Sequence, residues 1–229
     1  MSIFLLNSYV YEVADIPVER IANAEAMSFN GTDQYINVGD SDNFSFGDSS
    51  TDLPFSVSAW IYMNDATNFR ILNKYNAPNY EYQFDVGGSS NLRFFIFDGS
   101  NYRARTGSTL STNQWYHVVA TYNGVGGTNA QDGIKIYVDG VEITGTTDSN
   151  GSYTAMNNTT APVYIGRIGS SYANGKLDEV AIFNTALSSE KITQIYNATA
   201  VVGGVPQTAN LFTGGLDSSL VYWNRMGDS

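Results

Sequence analysis

The chain contains no cysteine, so it has no disulfide framework, no thiolate metal site and no cysteine nucleophile. Basic residues are also few: 11 lysines and arginines stand against 22 aspartates and glutamates, giving a formal net charge of −11. Nucleic-acid binding and docking on anionic lipid both need a basic surface, so this composition argues against both. It predicts instead a well-solvated acidic surface.

Long apolar runs are missing as well. No segment approaches the roughly 20 apolar residues that a membrane-spanning helix needs, so we expect no membrane insertion. The apolar run at residues 1–6 breaks at Asn7, and no basic residue precedes Arg20. A secretory signal needs a basic start and a longer apolar segment. We therefore expect a chain without an export signal of its own.

What the chain does have is 22 glycines, 16 tyrosines and short alternating apolar runs between polar turns, a pattern typical of an all-β protein. Asp139-Gly140 predicts a two-residue hairpin turn. Ser188 is a preferred N-cap, and Leu187 and Ile192 stand at staple positions, so a short helix is predicted after Ser188. Strands are predicted at 35–38, 55–62, 80–86, 92–98, 102–105, 115–122, 134–138, 141–143, 163–166 and 176–183.

Four segments resemble the laminin-G-like, concanavalin-A-like jelly-roll family: 29–36, 115–122, 134–141 and 175–188. The resemblance covers roughly residues 24–198. It implies a β-sandwich of two antiparallel sheets with one short C-terminal helix, in which the strand at 35–38 pairs close to the final strand at 177–183. This fold carries many unrelated functions, so it does not define the function.

Three parts are predicted on this basis: an extended N-terminal arm (residues 1–23), the laminin-G-like sandwich (24–198) and a C-terminal segment (199–229). The last segment is either a second arm or the start of a further repeat. Exposed apolar arms are costly unless something covers them. We therefore predict that the arms contact a neighbouring chain, and the competing interpretation is that both pack on their own sandwich. The proposed anchors are Phe4, Leu5, Tyr222 and Trp223.

A structural calcium ion is the one cofactor that the resemblance implies. Related domains often bind calcium at the sandwich rim through loop oxygens, and the matching acidic positions here are Asp33 and Asp178. Gln34 departs from the family pattern, because an aspartate is common at that position. The alternative is that Asp33 caps a turn and that Asp178 accepts hydrogen bonds from a loop.

Catalytic groups are hard to assemble from this sequence. A retaining glycosidase needs two carboxyls about 5.5 Å apart, whereas adjacent residues such as Asp178 and Glu179 point to opposite faces of a regular strand. Glu81 and Asp85 share a face but are separated by roughly 13 Å. The Glu-x-Asp-x-x-Glu motif of the glucanase branch is missing, and His117 has no assignable partner. We expect no enzymatic activity unless a buried carboxylate pair is present.

A glycan site would consist of exposed aromatic rings flanked by polar groups. Aromatic residues of alternating strands belong to a core more often than to a platform. Trp60 and Trp115 lie in strands where the family buries them. The side chains that could line one sheet face are Tyr75, Tyr80, Tyr82, Phe97, Tyr102, Arg103 and Arg105.

Taken together, the sequence predicts a non-enzymatic structural or adhesive protein. The leading hypothesis is a bacteriophage virion component, made in the host cytoplasm, such as a capsid decoration protein or a head or tail fibre protein. Its partners would be other virion proteins or copies of itself. The alternative is a glycan-binding repeat of a bacterial surface adhesin, located at the cell surface.

Overall fold

The computed structural model describes residues 16–202 and 204–228. Within these residues, one α-helix, α1 (Ser189–Asn197), and two short 3-10 helices, Asp42–Phe44 and Ala130–Gly133, accompany the strands. The strands are β1 (Arg20–Ala22), β2 (Met27–Asn30), β3 (Ile36–Gly39), β4 (Phe55–Met63), β5 (Phe69–Asn76), β6 (Asn79–Val86), β7 (Asn91–Phe97), β8 (Tyr102–Thr109), β9 (Trp115–Tyr122), β10 (Ile134–Val138), β11 (Val141–Glu142), β12 (Thr146–Asn150), β13 (Val163–Ile165), β14 (Arg167–Ile168), β15 (Ser171–Tyr172), β16 (Asn174–Phe183), β17 (Ala200–Val202), β18 (Val205–Ala209) and β19 (Leu220–Asn224).

Two seven-stranded antiparallel sheets form the body of the fold. Sheet I has the order β11-β10-β9-β4-β16-β19, with β2 also paired to β16. Sheet II has the order β12-β8-β7-β6-β5-β13-β3. A small sheet, β1-β18-β17, and the hairpin β14-β15 complete the strands of the described residues. The predicted all-β sandwich with one short helix is therefore confirmed.

The core lies between the inner faces of sheets I and II, and strand alternation determines its composition. Along β4, Val57, Ala59 and Ile61 are fully buried in this core, while Ser56 and Ser58 point to the other side of the sheet. The remaining residues predicted to be buried follow the same pattern. Val118, Ala120, Ile136, Val180 and Ile182 are fully buried, and Val138 is partly buried.

Helix α1 begins where the sequence predicts. Ser188 is its N-cap, and the Ser188 hydroxyl accepts a hydrogen bond from the backbone N–H of Lys191 at 3.3 Å. Leu187, Ile192 and Ile195 are buried in a second apolar cluster on the outer side of sheet I. The helix therefore covers part of that outer side. In the part of the chain that the structure describes, no helix is long and apolar enough to cross a bilayer.

One pairing prediction is wrong, and one strand was not predicted. The strand that pairs with β16 near the domain start is β2, in the register Asn30↔Asn174, whereas β3 lies in sheet II beside β13. The turn after Asn30 carries the chain from one sheet to the other. The sequence also missed β5, because its alternation is broken by two buried polar residues, Asn73 and Lys74.

The last strand of the C-terminal segment pairs within this sandwich. Strand β19 pairs with β16 in the register Ala181↔Trp223. The ring of Tyr222 lies 6.0 Å from that of Phe44, and the ring of Trp223 lies 5.2 Å from that of Phe212. The two proposed C-terminal anchors therefore make these contacts within their own chain. The N-terminal anchors, Phe4 and Leu5, lie outside the described residues.

Strands from both ends of the chain also meet in the small sheet. Strand β1 pairs with β18 in the register Ile21↔Thr208, and β18 pairs with β17. The sandwich with its attached small sheet therefore extends beyond residues 24–198 at both ends. The physical reason is that the backbone N–H and C=O groups of each short strand are satisfied by pairing with a neighbouring strand.

Candidate functional site

The outer face of sheet II carries a continuous cluster of aromatic rings, which we call the aromatic face. On β7, Leu92, Phe94 and Ile96 are buried in the core, so Phe95 and Phe97 point outward. Their neighbours on this face come from β5, β6 and β8. The members of the aromatic face are Tyr75, Tyr80, Phe95, Phe97 and Tyr102, and all five are half-buried.

The rings of the aromatic face contact one another directly. Tyr75 and Tyr80 are stacked with ring centroids 4.2 Å apart, and Phe97 lies 5.3 Å from Tyr75. Phe97 is stacked on Phe95 at 5.9 Å, and Tyr102 lies 5.6 Å from Phe95. The result is an aromatic surface that extends over four strands.

A polar strip borders these rings on the same outer face. The Asp85 carboxylate is fully buried and accepts hydrogen bonds from Arg93 Nε at 3.0 Å and Nη2 at 2.8 Å. It also accepts from Gln83 Nε2 at 2.9 Å and from Arg70 Nη1. The Arg93 guanidinium lies 5.2 Å from the centre of the Phe95 ring. Two arginines and an amide are thus held beside the rings by one carboxylate.

A second aromatic group surrounds Arg167 at the other end of the sheet. Its guanidinium carbon lies 4.6 Å from the Tyr35 ring centre, 5.0 Å from that of Tyr164 and 5.9 Å from that of Tyr172. The row Tyr164–Asn73–Gln83–Phe95 runs across adjacent strands and connects the two ends. Three strand spacings place its ends about 14 Å apart.

The predicted glycan residues divide between the two sides of sheet II. Tyr75, Tyr80, Phe97 and Tyr102 lie together on the aromatic face. Tyr82 is instead fully buried in the core, with its hydroxyl donating to the carbonyl of Phe44 at 3.0 Å.

Arg103 and Arg105 were also predicted to lie on the same face as Tyr102, and this prediction is wrong. They pair with Ile96 and Phe94 and therefore lie on the inner side of the sheet. Strict alternation along β8 would have separated them from Tyr102. The same alternation along β7 would have identified Phe95 and Arg93, which the sequence reasoning missed.

A buried carboxylate pair is present on the outer side of sheet I, contrary to the sequence expectation for Asp178 and Glu179. Asp178 pairs with Trp60 and Ala181 pairs with Ser58, so β16 contains one extra residue at this point. Glu179 takes a positive φ of 50° in this bulge. A bulge breaks the alternation of side chains, and both carboxyls are therefore buried on the same side while Val180 faces the core.

Burial raises the pKa of both carboxyl groups. The pKa of Asp178 is raised to about 6, even though Asn23 Nδ2 donates to its Oδ2 at 2.9 Å. The pKa of Glu179 is raised to about 7, by burial first and by the charge of Asp178 second. Trp223 Nε1 donates to Glu179 Oε2 at 2.5 Å, and Arg225 Nε lies 3.5 Å from Oε1. Glu179 therefore forms a hydrogen bond with Trp223 on β19 and an ion pair with Arg225, which directly follows that strand.

His117 does not form a catalytic arrangement. Its Nε2 lies 3.0 Å from the Ser58 hydroxyl, but both residues are buried under helix α1 and the small sheet. Burial lowers the pKa of His117 to about 3, so the ring is neutral at physiological pH. Nδ1 has no hydrogen-bond partner among the described residues, so no acid orients the ring as in a catalytic triad.

Asp33 and Asp178 do not fit a shared calcium ion. Asp33 is exposed and accepts a hydrogen bond from Asn30 Nδ2 at 2.8 Å. Asn30 pairs with Asn174, and Asp178 lies four residues further along β16, which is about 13 Å. The structure therefore does not bring the two carboxylates together. Among the described residues, no group of three or more histidine, aspartate or glutamate side chains could hold a metal ion.

The family model described as the concanavalin A-like lectin/glucanases superfamily matches residues 30–193. The chain therefore belongs to this superfamily, which agrees with the two-sheet architecture. Comparison with curated protein sequences gave no significant match.

Several solved structures share the fold. Domain 4 of the arabinanase AbnA from Geobacillus stearothermophilus, in complex with arabinotriose, is 20% identical with a TM-score of 0.51 and covers 73% of this chain and 74% of that one. A putative carbohydrate-binding protein from Bacteroides ovatus is 17% identical with a TM-score of 0.50, covering 93% and 61%. The binding domain of botulinum neurotoxin DC in complex with SialylT is 15% identical with a TM-score of 0.52, covering 81% and 48%. At these identities the likeness concerns the fold alone.

Proposed function

We propose that the chain is a non-enzymatic carbohydrate-binding domain and that its glycan lies on the aromatic face of sheet II. The observation that carries this proposal is the contact network of five half-buried rings bordered by Arg70, Gln83 and Arg93. The structures that share the fold include carbohydrate-binding proteins, which supports the glycan-binding hypothesis. No comparison supports the virion hypothesis.

A sugar ring presents two kinds of surface to a protein. Its C–H faces are apolar and gain free energy when they are buried against aromatic rings. Its hydroxyl groups need donors and acceptors with defined directions, and binding sites supply these through a few well-placed polar groups. Gln83 and Arg93 lie beside Phe95 and are held in place by Asp85, so they meet this need without a large loss of side-chain entropy.

Replacing Phe97 by alanine is expected to weaken glycan binding about tenfold or more, which corresponds to about 1.4 kcal/mol. Phe97 contacts four other rings of the aromatic face, so its loss removes the centre of the stacking surface. The measurement is affinity gel electrophoresis of the native chain and the variant in arabinan, xylan and polygalacturonate.

The matched control is Phe212→Ala, since Phe212 is 66% exposed and packs beside Trp223 on sheet I. The control should migrate like the native chain in every gel. The proposal is wrong if none of the polysaccharides retards the native chain, or if both alanine variants reduce retardation equally.

The absence of catalysis is part of the same proposal. The buried carboxylate pair is what a glycosidase hypothesis requires, but Glu179 is attached to Trp223 and Arg225 and is almost fully buried. We therefore expect no release of reducing ends from the same polysaccharides. Virion location, surface location and contacts between copies of the chain stay predictions.

A further inference from the structure

A groove separates the small sheet from the outer side of sheet I. Its volume is about 620 Å³, and its walls come from residues 23–26, from β4, β9 and β16, and from β17 and β18. Trp60 and Trp115 line it, and a smaller adjoining cavity of about 270 Å³ shares both rings and adds Asp139. Trp115 is 39% exposed and Trp60 is half-buried, so neither belongs to the core as the sequence predicted.

The groove and its extension are acidic. Two acidic residues, Asp178 and Glu25, line the main groove, and a third, Asp139, lines the extension. Among these lining residues, one side chain is cationic, that of Lys176. Three carboxylates therefore face one ammonium group. Indole rings attract cations through their negative faces, and the attraction adds to that of nearby carboxylates. The charge and the ring types thus complement a positively charged ligand.

One buried hydrogen-bond acceptor in this wall, Asn23 Oδ1, lacks a donor among the described residues. Asn23 Nδ2 donates to Asp178 Oδ2, which leaves Asn23 Oδ1 buried with no partner among the described residues. Turning the amide over would place Oδ1 against the carboxylate, so this orientation is the favourable one. Asp178 is itself only 5% exposed and receives one further hydrogen bond, from the backbone N–H of Glu179. A buried acceptor without a donor is costly, and a ligand with N–H groups would supply what is missing.

We propose that the groove binds a primary alkylammonium group, with its alkyl part against Trp60 and Trp115 and its N–H donors directed to the wall that contains Asp178 and Asn23. A neutral alcohol would offer a donor without the charge. A quaternary ammonium would offer the charge without a donor. The site is separate from the aromatic face, so it is independent of the proposed glycan site.

The test is NMR titration of the native chain with n-butylammonium chloride at constant ionic strength. The three tryptophans give three indole N–H signals, and Trp223 lines neither the groove nor its extension and is the internal control. We expect saturable shifts of the Trp60 and Trp115 signals with an unchanged Trp223 signal. We expect affinity about fivefold or more weaker for tetramethylammonium and for n-butanol.

Trp115→Ala is the variant to use, because Trp115 is exposed enough for its removal to leave the fold intact. It should weaken n-butylammonium binding about fivefold or more, whereas Tyr102→Ala on the opposite sheet should leave it unchanged. The proposal is overturned if the shifts do not saturate, or if tetramethylammonium or n-butanol binds as tightly as n-butylammonium. It is also overturned if Trp115→Ala binds n-butylammonium with unchanged affinity.

Discussion

Replacing Lys74 by methionine is expected to lower the free energy of unfolding by about 3–5 kcal/mol, because it removes one partner of a buried ion pair. The Lys74 ammonium is fully buried and lies 2.8 Å from Asp40 Oδ1 and 2.9 Å from Glu81 Oε1. It also donates to the carbonyls of Thr159 at 2.8 Å and Ala161 at 2.7 Å. Methionine fills a similar volume but leaves all four oxygens without this donor.

Urea denaturation of the native chain and the variant measures this loss. Lys135→Met is the matched control, since Lys135 forms a 2.9 Å pair with Glu142 in which both side chains are about half exposed. Exposed pairs contribute at most about 1 kcal/mol, so the control should change little. Combining Lys74→Met with Glu81→Leu should recover part of the stability, because it removes the unpaired buried carboxylate. Equal destabilisation by Lys74→Met and Lys135→Met would contradict the prediction.

The carboxylate pair is expected to contribute a stabilisation that falls as the pH rises from about 5 to about 8, while neutral buried His117 contributes the opposite slope below about pH 6.5. The folded-state pKa values of Asp178 and Glu179 are raised to about 6 and about 7 from the ordinary values of 3.8 and 4.5. A raised pKa means that the folded state holds the proton more tightly than the unfolded state. The resulting stabilisation is complete below about pH 4 and is lost as the pH passes the folded-state values.

Glu179→Gln removes most of this dependence and is expected to stabilise the chain by about 2 kcal/mol at pH 8. Glutamine retains an oxygen that accepts from Trp223 and carries no charge beside Asp178. Thermal unfolding at pH 5 and pH 8 provides the measurement, with Glu142→Gln as an exposed control whose pH dependence should match the native chain. The explanation fails if Glu179→Gln retains the native slope.

The two proposed binding sites differ in how far the sequence anticipates them. Tyr75, Tyr80, Phe97 and Tyr102 of the aromatic face are identifiable before the fold is known. The groove is not, because its walls come from segments more than 100 residues apart, such as Asn23 and Thr208. Their meeting depends on the pairing of β1 with β18.

Local features were determined by the sequence by itself. The alternation in β4, the Asp139-Gly140 turn with positive φ values of 50° and 79°, and the N-cap at Ser188 depend on interactions within a few residues. The same pattern of short alternating runs was enough to predict two packed antiparallel sheets. These interactions are nearly the same in any fold that contains the segment, and they can therefore be predicted without knowledge of the tertiary structure.

The tertiary structure decided everything that depends on register between distant strands. The bulge at Glu179 places its side chain on the same side of the sheet as Asp178. Lys74 can be buried in β5 because Glu81 and Asp40 form ion pairs with it. Trp223 lies on the edge strand β19, which pairs with β16. In each case a long-range partner offsets a local cost: an irregular backbone, a buried charge or an exposed apolar strand. The sequence near each residue contains the cost, and the partner that offsets it becomes visible only when the chain is folded.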